Sequence, residues 1–209
     1  IETGIDLYKL PLQEKKDILC SCIYGIDIDI HAVEVAKFSL LIKLIEDETA
    51  PSVSEVVPIL PDLGDNIQFG NSLVSQTELN GISGANRQMM EIAPFDWSTI
   101  NNGCGFDVII GNPPYVNTEG MHALLPSAEV EVYKKKYKTS HKQFDKYFIF
   151  IEQAINKINE NGLVCYIVPN KFFKIGAGEK LRNLIAKERM LVSLDDFGDA
   201  QLFEDKTIY

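Results

Sequence analysis

The chain has 209 residues, 45% hydrophobic and 24% charged, which is enough for one α/β domain with a sizeable core and ordinary for a globular protein. No apolar stretch is long enough to span a bilayer, and the N-terminus lacks a basic-then-apolar leader pattern, so neither a membrane-embedded nor an exported protein is expected. A net charge of −10 argues against a self-sufficient DNA-binding surface, because phosphate contacts need Lys and Arg.

In chain order, Ile23-Tyr24-Gly25-Ile26-Asp27-Ile28-Asp29 reads as a strand ending in acids. Val33, Val35, Ala36, Leu40, Leu41 and Leu44 then predict a helix over 31–47, with Asp29 as its N-cap. Residues 51–61, bounded by prolines, read as a loop, and 66–72 as a short strand and turn. An amphipathic piece is expected around Met89-Met90, and a buried strand over Phe106–Ile110. Residues 120–141 read as a loop with a helical part. Phe144, Phe148, Ile151, Ile155 and Ile158 predict a helix over 144–158 that Asn161-Gly162 closes as a C-cap. A buried strand over 163–168, a helix over 180–187, a strand over 191–194 and the start of another at 207–209 follow. Strands alternating with helices predict an α/β fold with a mostly parallel, twisted sheet. No linker or repeat divides the chain, so residues 1–209 are taken as one domain.

The four cysteines (Cys20, Cys22, Cys104, Cys165) show no zinc-ribbon spacing. Free, mostly buried thiols in a reducing cytosol are expected, and no metal site. Six lysines between Val132 and Tyr147 (Lys134, Lys135, Lys136, Lys138, Lys142, Lys146), with His141, Tyr133 and Tyr137 among them, fit two readings equally. They form either a solvated charged face or a phosphate-facing one.

The most informative stretch is Asn112-Pro113-Pro114-Tyr115, directly after the Asp107–Gly111 strand. In open α/β sheets the C-terminal strand edge is where ligands sit. Two prolines fix the backbone and remove two N–H donors, leaving the Asn side-chain oxygen and bare carbonyls as acceptors beside an aromatic face. That array suits an exocyclic planar amine. Alone, the tetrapeptide reads first as a strand-ending turn. With the preceding strand, the chain resembles the amino-methyltransferases that use S-adenosylmethionine (SAM), whose fourth motif is Asp/Asn-Pro-Pro-aromatic after a strand.

Two further segments bear on a cofactor. In nucleotide-binding α/β folds an acid ending the second strand accepts the two ribose hydroxyls, and Asp27 is the candidate here. Ile28 would then lie on the adenine face, or be plain core. In Phe69-Gly70-Asn71-Ser72-Leu73, Asn71 is the candidate for the adenine amino group, although Gly-Asn-Ser is also a common turn.

Taken in order, these segments precede Phe-Asp-Lys-Tyr-Phe-Ile-Phe-Ile-Glu (144–152), Asn-Gly-Leu-Val-Cys-Tyr-Ile-Val-Pro-Asn-Lys-Phe (161–172) and Leu-Arg-Asn-Leu-Ile (181–185). The series is similar to the γ-type DNA adenine-N6 methyltransferases, especially those of type IIG restriction-modification enzymes. The similarity runs from about 23 to 209 and is most specific over 107–116 and 162–173. It implies a Rossmann-like SAM-dependent methyltransferase fold in a prokaryotic cytoplasm. Its cofactor would be SAM and its partner double-stranded DNA; oligomeric state is left open. The target adenine would be flipped out of the duplex and stacked on Tyr115, with the Asn112 side-chain oxygen and the Pro113 carbonyl accepting its two N6–H bonds, and Pro114 stiffening the turn. Tyr166 aligns with an aromatic lining the cofactor pocket in relatives, or is a core strand residue. The first motif, a strand and glycine turn holding the amino-acid portion of SAM, and the last hairpin of the sheet are missing. The expectation is therefore a partial catalytic domain, inactive alone, with DNA contacts supplied by a recognition domain elsewhere in the parent enzyme. Protein-glutamine or RNA guanine-N2 methyl transfer, and a non-catalytic scaffold with the same fold, are the alternatives.

Overall fold

The computed structural model of the chain describes residues 2–3, 7–46, 48–49, 57–187 and 189–198. Strands and helices alternate along it, and the strands pair in short sheets, two of them parallel, which is a mixed α/β arrangement. The residues group into two compact units. One draws on Ile1–Ser72 and Ala93–Cys104, the other on Leu73–Ile92 and Gly105–Tyr209.

In the first unit, β1 (Glu2–Thr3) and β2 (Leu7–Tyr8) form a small antiparallel pair. Then come α1 (Leu12–Cys22), β3 (Gly25–Asp27), α2 (Ile30–Ile45) and β4 (Ile67–Phe69). β3 and β4 run parallel, with Ile26 opposite Gln68 and Asp27 opposite Phe69. The helix starts where the sequence predicts because the Asp29 carboxylate accepts the His31 N–H at 2.8 Å, satisfying one of the orphan donors of the first turn. Leu12, Leu19, Val33, Leu44, Leu63 and Ile67 form the core. Asn66 fastens the unit internally: its side-chain amide donates to the carbonyls of Cys20 at 2.8 Å and Ile23 at 2.9 Å. Gly70 is required by close packing, since a Cβ there would lie 2.9 Å from Phe95 Cδ2. Residues 57–61 carry neither helix nor strand, as expected of a loop; 51–56 lie outside the described residues.

The second unit holds α3 (Ala85–Ile92), β5 (Phe106–Gly111), α4 (Thr118–Leu124), α5 (Ser127–Lys136), α6 (Lys146–Lys157), β6 (Ile158–Tyr166) and α7 (Glu179–Lys187). Its core centres on Tyr133, Phe144, Tyr147 and Phe148, all essentially inaccessible, with Leu73, Ile92, Met121 and Leu181 around them. Burying an aromatic of this size contributes about 1.5–3 kcal/mol. Hence the apolar face of α6, rather than helix propensity, holds this part of the chain together.

The structure corrects four expectations. The strand over Phe106–Ile110 is not buried: Val108 is 60% and Ile110 76% exposed, with Leu163 and Cys165 exposed beside them. Among the described residues β5 pairs only with β6, in the register Val108–Leu163 and Ile110–Cys165, and a two-stranded sheet has little to cover its second face. Asn161-Gly162 does not cap α6. The helix is closed by Ile158, and Asn161-Gly162 lies inside β6, where the register with β5 shifts; a Cβ on Gly162 would sit 2.9 Å from the Asp107 carbonyl oxygen. Leu191–Leu194 is not a strand, having no strand to pair with among the described residues, and Val192 is 82% exposed; the strand expected at 207–209 lies outside the described residues. Finally, the thiols are free but not mostly buried. Cys22 ends α1, Cys104 precedes β5 and Cys165 faces outward from β6, all three exposed, while Cys20 is half-buried.

Candidate active site

β5 delivers Asn112-Pro113-Pro114-Tyr115 at its C-terminal end. Asn112 and Pro114 are exposed, Pro113 is buried, and the Tyr115 ring is half-buried. The Tyr115 hydroxyl has two acceptors in reach, the Asn112 Oδ1 within the turn and the Ile167 carbonyl at 2.9 Å. Burial raises its pKa above the usual phenol value, so it stays a donor. The Ile167 N–H in turn donates to the Gly111 carbonyl at 3.3 Å, so the segment leaving β6 is tied to both ends of the turn.

The chain after the turn is held just as firmly. Lys146 N–H donates to the Val116 carbonyl at 2.8 Å, and Asn117 and Asp145 form an antiparallel bridge. Thr118 Oγ1 donates to the Phe144 carbonyl at 2.8 Å, and the Asn117 side chain caps α4 by accepting the Gly120 N–H at 2.8 Å. Tyr147 meets Tyr115 edge-on, ring centroids 6.2 Å apart, and its hydroxyl donates to the Pro169 carbonyl at 3.2 Å. Burial, and then the Asp145 charge, push the Tyr147 phenol well up. The Asp145 carboxylate is buried and takes the Lys171 ammonium at 3.1 Å. Phe172 is buried against Tyr147 and Phe148, while Phe173, stacked on it at 4.1 Å, is 40% exposed. The Tyr166 ring lies against Gly111, where a Cβ would be 3.2 Å from its Cε1, and burial pushes its phenol up to about 12.

The three sequence-predicted cofactor residues lie in the first unit. Asp27 is exposed at the end of β3; its Oδ1 accepts the Asp29 N–H and its carbonyl the Gly70 N–H, both at 2.8 Å. Ile28 is 46% exposed, so of its two readings plain core does not hold. Asn71 is buried, its N–H bonded to the Ala93 carbonyl at 2.6 Å beside an isolated bridge to Pro94. A polar hollow of about 210 Å³ in this unit is lined by Cys20, Tyr24, Asp65, Asn66, Thr99, Asn101 and Asn102, and none of the three predicted residues borders it.

Four members of the lysine run stand beside carboxylates of the same unit. Lys135 lies 2.6 Å from Glu131, Lys136 2.9 Å from Glu78, Lys146 3.6 Å from Glu129 and Lys142 3.9 Å from Glu179. Lys134 stands against His122 at 3.1 Å, and Tyr133 and Tyr137 are core rather than surface aromatics. Lys136 and Lys146 are drawn into the fold by these pairs, whereas Lys134, Lys135, Lys138 and Lys142 stay exposed, and exposed pairs of this kind hold little energy. Among the described residues no cluster of His, Cys, Asp or Glu could hold a metal ion, and no helix is long and apolar enough to cross a membrane.

Residue-level reading of the sequence missed Asp145, Tyr147 and Lys171. They lie in the Phe-Asp-Lys-Tyr and Val-Pro-Asn-Lys-Phe segments, which stand out as segments but acquire roles only when the fold sets them beside the turn.

The family model described as Eco57I restriction-modification methylase matches residues 21–203. The chain is 46% identical over 202 residues to the type II restriction enzyme and methyltransferase RM.Eco57I of Escherichia coli, a match covering 97% of this chain and 19% of that protein. It is 31% identical over 103 residues to the type II methyltransferase M.PaeR7I of Pseudomonas aeruginosa, covering 49% of this chain and 17% of that protein. It is 32% identical over 89 residues to the type II methyltransferase M.TthHB8I of Thermus thermophilus, covering 41% and 21%. The chain therefore spans about a fifth of the length of these curated relatives.

Proposed function

The chain belongs to the Eco57I restriction-modification methylase family, and on that premise we propose that the protein transfers a methyl group from SAM to the N6 amine of adenine in double-stranded DNA, in the cytoplasm of a prokaryote. On this reading the fold is Rossmann-like, with β3 carrying a cofactor acid and β5 the turn that handles the base. The observation that carries the reading is the turn after β5: an exposed Asn112 amide oxygen, a backbone stripped of donors by two prolines, and a half-buried aromatic beside them.

Adenine N6 is unreachable inside a stacked duplex, so the base is extruded. The Tyr115 ring stacks on it, a contact worth about 1–3 kcal/mol. The Asn112 Oδ1 already accepts from Tyr115; its second lone pair takes one N6–H, and the Pro113 carbonyl takes the other. Two acceptors on one amine favour a pyramidal nitrogen and aim its lone pair. No strong base is needed, and holding the nitrogen in line supplies roughly 7–11 kcal/mol of barrier reduction. SAM, when bound, supplies the activated methyl group. Two observations fit its nucleoside portion: an exposed carboxylate at the end of β3, with Oδ1 anchored locally and Oδ2 left for a ribose hydroxyl, and the exposed apolar surface of Ile28 next to it.

Nucleoside analysis tests the reading. The full-length protein is incubated with SAM and, in parallel, with unmethylated duplex DNA, RNA or protein, and each product is digested and weighed nucleoside by nucleoside or residue by residue. N6-methylated adenine is the expected product. Methyl groups on RNA guanine or on protein glutamine would move the assignment to those substrates, and none on any of the three would leave a scaffold.

A further inference from the structure

We propose that the Asp145–Lys171 ion pair is a positioning element of the methyl-transfer site, a charged latch that holds the segment leaving β6 against the Asn112–Tyr115 turn. The inference rests on the reading of that turn given above.

Asp145 stands at the N-cap position of α6, where a carboxylate ordinarily accepts a backbone N–H of the first turn. It makes no such bond. The buried carboxylate is directed instead to Lys171 Nζ, 3.1 Å away. On the Asp145 side the latch is anchored to the strip after the turn, through the Asn117–Asp145 bridge and the Lys146 N–H on the Val116 carbonyl. On the Lys171 side it ends a segment fastened at alternate residues. Ile167 bonds Gly111 and Tyr115, Pro169 accepts from Tyr147, and Lys171 meets Asp145.

The Ile167 carbonyl is one of the two acceptors for the Tyr115 hydroxyl. If 167–171 slides, that acceptor moves, and the ring and the Asn112 amide lose their common reference. Lys171 therefore acts through Ile167 and Tyr115 rather than on the reacting atoms. A displacement of about 1 Å at a site of this kind costs up to a hundredfold in rate.

The test uses the full-length protein in the methyl-transfer assay with three variants, Lys171→Met, Lys171→Arg and the double variant Asp145→Asn/Lys171→Met. Lys171→Met is expected to lower kcat about tenfold or more. The KM for DNA and the salt dependence of binding should stay near those of the unaltered protein, and Lys171→Arg, which can remake the pair, should recover most of the rate. The double variant leaves no unpaired buried carboxylate, so it folds even if Lys171→Met does not, and it is expected to be as slow as the single variant. An unchanged kcat in the double variant would overturn the latch. So would a loss confined to KM and to the salt slope, because that is the signature of a direct phosphate contact by Lys171. Asn112→Ala separates this inference from its premise. If Asn112→Ala is inactive while Lys171→Met keeps full rate, only the latch fails; if Asn112→Ala is fully active, the reading of the turn fails first.

Discussion

Each unit ends a parallel strand pair in a polar turn, and the two turns are held in opposite ways. After β3, Asp27 and Asp29 are satisfied within two residues of themselves: Asp27 Oδ1 takes the Asp29 N–H and Asp29 Oδ1 the His31 N–H, both at 2.8 Å. After β5, the Asn112–Tyr115 turn depends on partners far along the chain, with the Tyr115 hydroxyl reaching Ile167, 52 residues away. A self-capped turn keeps its shape at little cost and suits a carboxylate that meets a ligand through one free oxygen. The second turn, which on the proposed reading holds an amine in line, is over-determined from outside, by a second aromatic, a buried carboxylate and the exit of the neighbouring strand. Preorganisation of that kind is what an in-line transfer requires.

The contrast can be broken at several levels. The largest effect is expected from Phe148→Ala, in the aromatic core behind the second turn. Removing a fully buried Phe costs about 3–5 kcal/mol, read as a shift of the denaturant midpoint. Transfer activity should fall with it, and an unshifted midpoint would show that the turn does not depend on this core. Next comes Asp27→Asn, expected to weaken cofactor binding about tenfold by calorimetry, as for the loss of a charged hydrogen bond to a hydroxyl. The rate at saturating cofactor should change little; a fall in that rate with unchanged affinity would remove Asp27 from the cofactor site. Smallest is Asp29→Ala, which deletes the helix cap for about 1 kcal/mol of stability. Affinity for the cofactor should be untouched, and if Asp29→Ala weakens binding while Asp27→Asn does not, the two carboxylates exchange roles.

What was legible in the sequence follows the same division. The Asp29 cap, the helix it starts and the Asn-Pro-Pro-Tyr turn at a strand end are local patterns, and each lies where the sequence predicts. The support of the second turn is not local. Nothing in the neighbourhood of Lys171 points to Asp145, 26 residues earlier, and nothing around Tyr147 points to the Pro169 carbonyl. The surroundings of the lysine run were legible only in part. Its pairing of Lys135 with Glu131 is visible as an i,i+4 spacing, but Lys136 finds Glu78 only through the fold. Exposure of β5 was equally hidden: an apolar strand reads as buried by composition, whereas the number of strands beside it decides what is covered. Asn161-Gly162 carried a genuine turn signal, and the structure uses it as a register shift inside β6 rather than as a helix end.

The central claim is that the Asn112 side-chain oxygen receives the target amine. The most direct measurement is single-turnover transfer of tritiated methyl from SAM to unmethylated duplex DNA by the full-length protein, unaltered and as Asn112→Ala. The account predicts label on adenine N6 with the unaltered protein and a rate lower by about a hundredfold or more in the variant, the scale of losing one acceptor or donor aimed at a reacting group. Equal rates in the two proteins would contradict it.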